Sequence, residues 1–545
     1  MAENSHLYQY APLEGPNSFR ILELLPGEIH ETPRCNIVHV SMDEKPQYEA
    51  LSYVWSLGKA TIYCGSSNVT FRVSVTCIRA LKYLRLRDKS RSLWIDAICI
   101  NQEDSPAAIE EKDQQVKMMH KIYENASRVL IYPMGLHKLQ QEDIGTLLGF
   151  VNLGRDERDQ EKIPIPQQYQ GFESPRYGDK EIQFIARRME WFSRTWVIQE
   201  AALADEAIMV LGKVEVPLQE FIDLSLEAID SRDELRDQLS LHASLRKPST
   251  PRPSLLRLAY SSRCTKATRP QDKLFALVGI ASDGDSFQSA ISYGKDPATV
   301  FADFSQRCIN QSRNLDLLSV VRESPPSQVS PSWAVQWDSM DIDYLSVLDP
   351  LGSRRNFKAC GDFTSTERQD RDTHELHLRG IKFDSVRAKS WFKMVGTSTS
   401  ELVGALRRLS FPCLKGETRQ GPKSQAQTSV VYNDIENAIY STISCRVQDM
   451  SKQRDEPDWV HIDRRSRNYD FVKTSRGYIG LIDKSVSKGD LICLLSGGSV
   501  PYVLRPVPGE EGKFQFIGEA YIEGIMYGEA MEGKEERDLQ DFCLV

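Results

Sequence analysis

The chain has 545 residues, which at roughly 150 per domain corresponds to about two to four domains. Hydrophobic residues make up 40% and charged residues 26%, with 32 Gly and 26 Pro; this is the composition of folded modules and excludes collagen, coiled coil and a largely disordered chain. Lys and Arg number 68 against 76 Asp and Glu, a net charge of −8 that lacks the electrostatic footprint of a general nucleic-acid binder, so no nucleic-acid partner is expected. The eleven Cys are scattered from Cys35 to Cys543 without a CxxC or a zinc spacing, which implies reduced, mostly buried thiols in a cytosolic or nuclear protein. The sequence contains no run of about 18 apolar residues, and its N-terminus has no signal-like pattern, so no transmembrane segment is expected.

In chain order, Phe19 to Leu25 and Cys35 to Val40 flank the Pro26-Gly27 break and predict a β-hairpin extension over residues 1–47. Tyr48 to Trp55 reads as a strand and Thr76 to Leu86 as a helix with Ile78, Leu81 and Leu84 on one face. Leu93 to Ile100 is a nearly continuous apolar run that suits a strand covered on both faces. Glu111 to Asn125 is helical in period, and Val129 to Tyr132 is a strand ended by Pro133. This alternation predicts an α/β fold built on a doubly wound parallel sheet. Residues 155–181 are polar and rich in Pro and Gln, as in a surface insertion, after which helices resume at Ile182 and near Arg194.

A mainly helical middle region is expected over residues 205–325. Its clearest helix has Asp296 as N-cap, Pro297 at the first position, and Val300, Phe301, Phe304 and Cys308 along one face. Residues 332–545 read as a β-rich region interrupted by a polar linker at 415–429. Its last part, with Tyr478 to Ile482, Asp490 to Leu495, Pro501 to Arg505 and Phe514 to Ile522, predicts a small β-barrel or compact meander.

The chain has no phosphate-loop, Rossmann, nucleophile-elbow or zinc-protease motif. His374 and His377 sit in a strand-like THELHLRG segment, where residues three apart face opposite sides, so no metal site is expected. Asp96 inside LWIDAICI would be expensive to bury without a partner. At the carboxyl end of a strand, with Asn101 and Gln102 following, it stands where α/β sheets bind ligands, or else it accepts hydrogen bonds from a neighbouring loop. In WFSRTWVIQEAALA, Trp196 and Glu200 are four residues apart on a helix. An aromatic plate beside a carboxylate can hold a flat ring and stabilise positive charge on an attached ribose; packing plus an ion pair with Arg194 is the plainer use of the same residues.

Four blocks, YEALSYVW, LWIDAICINQED, EKDQQVKMMHKIYENASRVLIYP and WFSRTWVIQEAALA, taken in this order resemble the fungal heterokaryon-incompatibility family, the HET domain, over residues 48–204. RPQDKLFALVGI, ISYGKDPATVFADF, PSWAVQW and the C-terminal KGDLICLLSGGSVPYVLR and IGEAYIEGIMYGE resemble the extension of full-length members. The resemblance implies a cytosolic effector of programmed cell death after non-self recognition, acting through a protein partner from an incompatible strain or through self-association. HET domains are also similar to TIR domains, which are flavodoxin-like α/β modules, some of which cleave NAD with a Glu four residues after a Trp. On that likeness Glu200 is the catalytic candidate, NAD the candidate substrate, and Trp55, Asp96, Asn101, Gln102, Glu111, Arg194 and Trp196 the ligand-binding candidates. This chain departs from the family pattern at Ser56, where Gly usually follows the Trp, and in the extra residues SPAAIE after Asp104.

Overall fold

A computed structural model describes residues 6–65, 69–133, 140–158, 160–172, 179–230, 233–246, 251–322, 330–339, 357–365, 375–390, 406, 432, 434–445 and 466–545. The chain divides into two compact units, Met1–Lys295 and Asp296–Val545. The first therefore contains the N-terminal hairpin, the segment resembling the HET domain and much of the middle region. The predicted linker at 415–429 lies outside the described residues, as do parts of the 155–181 insertion. No helix among the described residues is long and apolar enough to cross a membrane.

The first unit is organised around a ten-stranded sheet, ordered β1-β6-β5-β3-β2-β7-β4-β8-β9-β10. These strands are β1 (His6–Leu7), β2 (Ser18–Leu24), β3 (Arg34–Ser41), β4 (Glu49–Tyr53), β5 (Lys59–Cys64), β6 (Val69–Ser74), β7 (Arg91–Trp94), β8 (Val129–Tyr132), β9 (Ala207–Leu211) and β10 (Val214–Pro217). Only β7, β4, β8 and β9 form a continuous parallel block. The expected all-parallel sheet is thus corrected to a mixed one. The N-terminal hairpin joins this sheet, because β2 pairs antiparallel with β7 and buries Phe19, Ile21, Leu22 and Leu24. At the other edge, β10 folds back on β9 through Gly212, whose φ of +66° suits the first position of a tight hairpin turn. The predicted helical middle therefore begins with two strands of the main sheet.

Local chemistry explains the helix starts. Helix α1 (Val75–Leu84) is capped by Ser74, whose hydroxyl accepts from Cys77 N. The predicted strand Leu93 to Ile100 stops at Trp94 and turns into the single helical turn α2 (Asp96–Cys99), with the Asp96 carboxylate accepting from Ala97 N at 2.7 Å. The extra SPAAIE residues do not form a loop: Ser105 caps α3 (Pro106–Asn125), Pro106 takes the first helical position, and the helix begins five residues before the predicted Glu111. Helices α4 (Gln141–Glu157), α5 (Asp179–Arg188), α6 (Trp196–Ala202), α7 (Leu218–Ala228), α8 (Glu234–Leu245), α9 (Leu255–Ser261) and α10 (Asp272–Val278) complete the unit.

In the second unit α11 (Pro297–Ser312) begins as the sequence predicts, with the Asp296 side chain accepting from Ala298 N. Strands β11 (Leu376–Ser390), β12 (Tyr469–Thr474), β13 (Ile479–Asp483), β14 (Leu491–Leu495), β15 (Tyr502–Pro506), β16 (Lys513–Ile522) and β17 (Gln540–Leu544) follow, with α12 (Ile435–Ser444) between β11 and β12. The pairings run β12-β13-β16-β15-β14-β11 and return to β12, which closes six strands into a barrel. The closure depends on the fifteen-residue β11, which pairs in turn with β17, β14 and β12 and shifts register between Lys382 and Asp384 and between Val386 and Ala388. Val472, Ile482, Ile492, Leu494, Val503, Ile517 and Ile522 fill its core.

Candidate functional site

The carboxyl ends of β4 and β7 open into a cleft of about 700 Å³ that is lined by Trp55, Asp96, Gln102, Arg194 and Trp196, five of the sequence-predicted residues. Trp55 follows β4 and is 45% exposed, with its side chain at the mouth of the cleft. Asp96 opens α2 beside it. Burial raises the Asp96 carboxyl above the usual carboxylate range, while Arg194, the Ala97 amide and the Trp55 indole pull in the opposite direction. Gln102 is held by its side-chain amide, which donates to Asp96 O at 3.0 Å.

Arg194 enters from the turn before α6 and donates to the carbonyl of Tyr53, the last residue of β4. Its backbone is fixed by a one-residue parallel bridge to Lys266: Lys266 N donates to Ser193 O at 2.6 Å and Thr195 N to Lys266 O at 3.0 Å. The same segment brings in residues that sequence reasoning missed. Lys266, Arg269, Asp272 and Tyr293 face the cleft together with Lys112 of α3. Asp272 is buried, and burial raises its carboxyl despite the Tyr293 hydroxyl, the Trp196 indole and the two arginines Arg269 and Arg194. Arg269 lies over the Tyr293 ring at 5.1 Å. A signal was legible, since Asp272 is the lone carboxylate in the otherwise apolar and basic block RPQDKLFALVGI.

Glu200 is placed differently. Trp196 borders the cleft, but one helical turn on Glu200 lies beneath it, 3% exposed. The reason is that α6 has only seven residues and Val197, Ile198, Gln199, Glu200 and Ala201 are all buried. Ser52 Oγ donates to the Glu200 carboxylate, and Trp191 Nε1 donates to Ser52 Oγ at 2.6 Å. Burial raises the Glu200 carboxyl from its ordinary value to about 7, against the pull of Arg194 and the Ser52 and Tyr123 hydroxyls.

Asn101 and Glu111 also stand apart from the cleft lining. Glu111 makes a bidentate pair with the fully buried Arg20 at 2.7 and 2.9 Å and accepts from Asn101 N at 2.9 Å. The Asn101 side chain in turn accepts from Glu103 N at 3.1 Å. Ser56, where the family pattern has Gly, accepts from Thr76 N at 3.3 Å and ties the loop after β4 to the start of α1.

Residues 48–200 match the family model described as heterokaryon incompatibility protein (HET), and residues 447–545 match the one described as Het-6 beta-barrel domain. These matches support a heterokaryon-incompatibility protein. The chain is also similar to heterokaryon incompatibility protein 6, OR allele, of Neurospora crassa, at 24% identity over 695 aligned positions that cover 100% of this chain and 98% of the relative. No solved structure matches. Both features reach beyond the matched segments: Lys266, Arg269, Asp272 and Tyr293 of the cleft lie after residue 200, and β11 of the barrel lies before residue 447.

Proposed function

We propose that this protein acts in heterokaryon incompatibility as a cell-death effector, and that its cleft binds a nucleotide-type ligand, NAD being the first to test. One observation carries this reading: two Trp rings converge with four cations, Lys112, Arg194, Lys266 and Arg269, and with Asp96 and Asp272, in one opening beyond β4 and β7. Tryptophans suit flat bases, guanidinium and ammonium groups suit phosphates, and carboxylates suit ribose hydroxyls. The order β7-β4-β8-β9 within the parallel block is the arrangement of flavodoxin-like sheets, which take ligands beyond the carboxyl ends of their strands, and the cleft lies beyond two such ends, those of β4 and β7; this supports the TIR-like reading of the first unit. Occupancy of the cleft then governs assembly with a protein partner or with a second copy of this chain.

Cleavage of NAD is the second reading, favoured by Glu200. A carboxyl with a value near 7, lying under the cleft beside Arg194, has the character of a catalytic acid or base. In this reading α6 turns to present it. Calorimetric titration with NAD tests binding: wild type binds and Arg194→Gln loses tenfold or more, whereas an equal or absent heat in both variants rejects the ligand. Chromatography of released nicotinamide tests cleavage, which Glu200→Gln abolishes; binding without release leaves the effector reading standing and rejects the hydrolase.

A further inference from the structure

The barrel of the second unit carries a constellation of its own. Strand β17 lies between β11 and β16, with Cys543 opposite His377 in the antiparallel register and opposite Lys513 in the parallel one. Glu375 immediately precedes β11. His377 Nε2 is 3.3 Å from Glu375 Oε2 and 3.9 Å from Cys543 Sγ, and one ligand atom from each of the three residues lies within 4.8 Å of the others. A tetrahedral cation with bonds of about 2.0–2.3 Å sets its donor atoms about 3.3–3.8 Å apart, so these three already stand close to the corners of such a site. All three are partly exposed, so the group is within reach of solvent.

The carboxylate is also oriented. Lys513 Nζ sits 3.0 Å from Glu375 Oε1, the oxygen turned away from His377, and so holds Oε2 towards the imidazole. Its charge offsets one of the two negative charges that a thiolate and a carboxylate bring.

We propose that Glu375, His377 and Cys543 bind a divalent cation of the zinc class. Thiolate and imidazole donors select zinc and its neighbours over magnesium or calcium. Binding replaces the Cys543 thiol proton with an S–metal bond and releases that proton to solvent, and the cation takes one ligand from β17 and two from the β11 side, fastening β17 to β11. The two histidines of the THELHLRG segment do not act as a pair in this arrangement: His377 works with a thiol 166 residues away, and His374 lies outside the described residues.

The test uses the full chain stripped with a chelator and titrated with cobalt(II). One equivalent is expected to give a sulfur-to-cobalt charge-transfer band and the visible bands of tetrahedral cobalt, both removed by zinc. Cys543→Ala loses the charge-transfer band. Glu375→Gln, outside the strand ladder, keeps the metal-free thermal transition of wild type and weakens zinc binding by about tenfold or more. Absence of the charge-transfer band in wild type, its persistence in Cys543→Ala, or unchanged zinc affinity in Glu375→Gln overturns the site.

Discussion

The Ser52 hydroxyl, on the central strand β4, donates a hydrogen bond to the carboxylate of Glu200, 148 residues further along the chain. Trp191 Nε1 donates to the same hydroxyl, and the Trp191 ring stacks on His242 at 5.4 Å, so a carboxyl and an imidazole are joined through one buried chain of contacts. Both are driven towards neutrality by burial, Glu200 up to about 7 and His242 down to about 3, with Arg246 adding to the effect on His242.

These two groups give opposite pH dependence. The raised Glu200 contributes stability that is full below its ordinary value near 4.5 and is lost as pH rises through about 7. The lowered His242 contributes stability that is full above 6.5 and is lost as pH falls towards 3. Between about pH 5 and 6.5 each slope is about 1.4 kcal/mol per pH unit, and in the wild type they offset each other. Urea unfolding of Glu200→Gln should therefore show stability falling by about 2 kcal/mol from pH 6.5 to 5, and His242→Phe should show a fall of similar size from pH 5 to 6.5. Flat profiles in both variants would contradict the assignment.

Arg20 is fully buried and its charge is met by Glu111, with help from the carbonyls of Ala11 and Cys99. Glu111→Ala strands that guanidinium and should lower stability by about 3–5 kcal/mol. Ligand binding by the folded fraction should not change, because the Glu111 side chain is engaged with Arg20 and Asn101 N rather than lining the cleft. Thermal unfolding together with NAD titration below the transition distinguishes the two effects.

Trp55 is an exposed ring at the cleft, whereas Trp94, Trp191 and Trp333 are among the most buried side chains of the protein. A stacked ligand should quench the Trp55 emission. Trp55→Phe should reduce the ligand-induced change to what Trp196 contributes, while leaving stability within about 1 kcal/mol of wild type, since an exposed site contributes little to packing.

Gly380 marks the point where β11 passes from β17 to β14, pairing with Gln540 on one side and Leu495 on the other. A Cβ there would lie 2.2 Å from Leu494 O, and backbone cannot yield as a side chain does. Gly380→Ala should destabilise the barrel by about 2–3 kcal/mol, read as a lowered melting transition; Gly489, whose added Cβ would meet nothing within 4 Å, has φ +97° and should suffer through backbone strain alone.

Much of the local structure was legible. Alternation and period located β2, β3, β4, α1, β8, α11 and β13 to β16 within a few residues, because apolar spacing is a local property that burial on one face enforces. The Leu93 to Ile100 run misled: a continuous apolar stretch is equally suited to a strand followed by a buried turn, and the Asp96 carboxylate, bonded to Ala97 N, marks where the chain changes direction. The docking of β9 beside β8 and the antiparallel joining of β2 to β7 depend on pairing between distant strands, which no local pattern encodes.

The site divides in the same way. Asp96 could be nominated from the sequence because a carboxylate in an otherwise apolar block is expensive to bury without a use, Gln102 because it follows Asp96 at the strand end, Arg194 and Trp196 because they share a segment with Glu200, and Trp55 from the resemblance to TIR domains. Only the tertiary structure separated Glu200 from them, since one turn of a seven-residue buried helix decides whether a carboxylate meets solvent or Ser52. Only the tertiary structure added Arg269 and Asp272 to the cleft and set Cys543 beside His377, because those neighbours are created by strand register and chain crossing rather than by spacing along the chain.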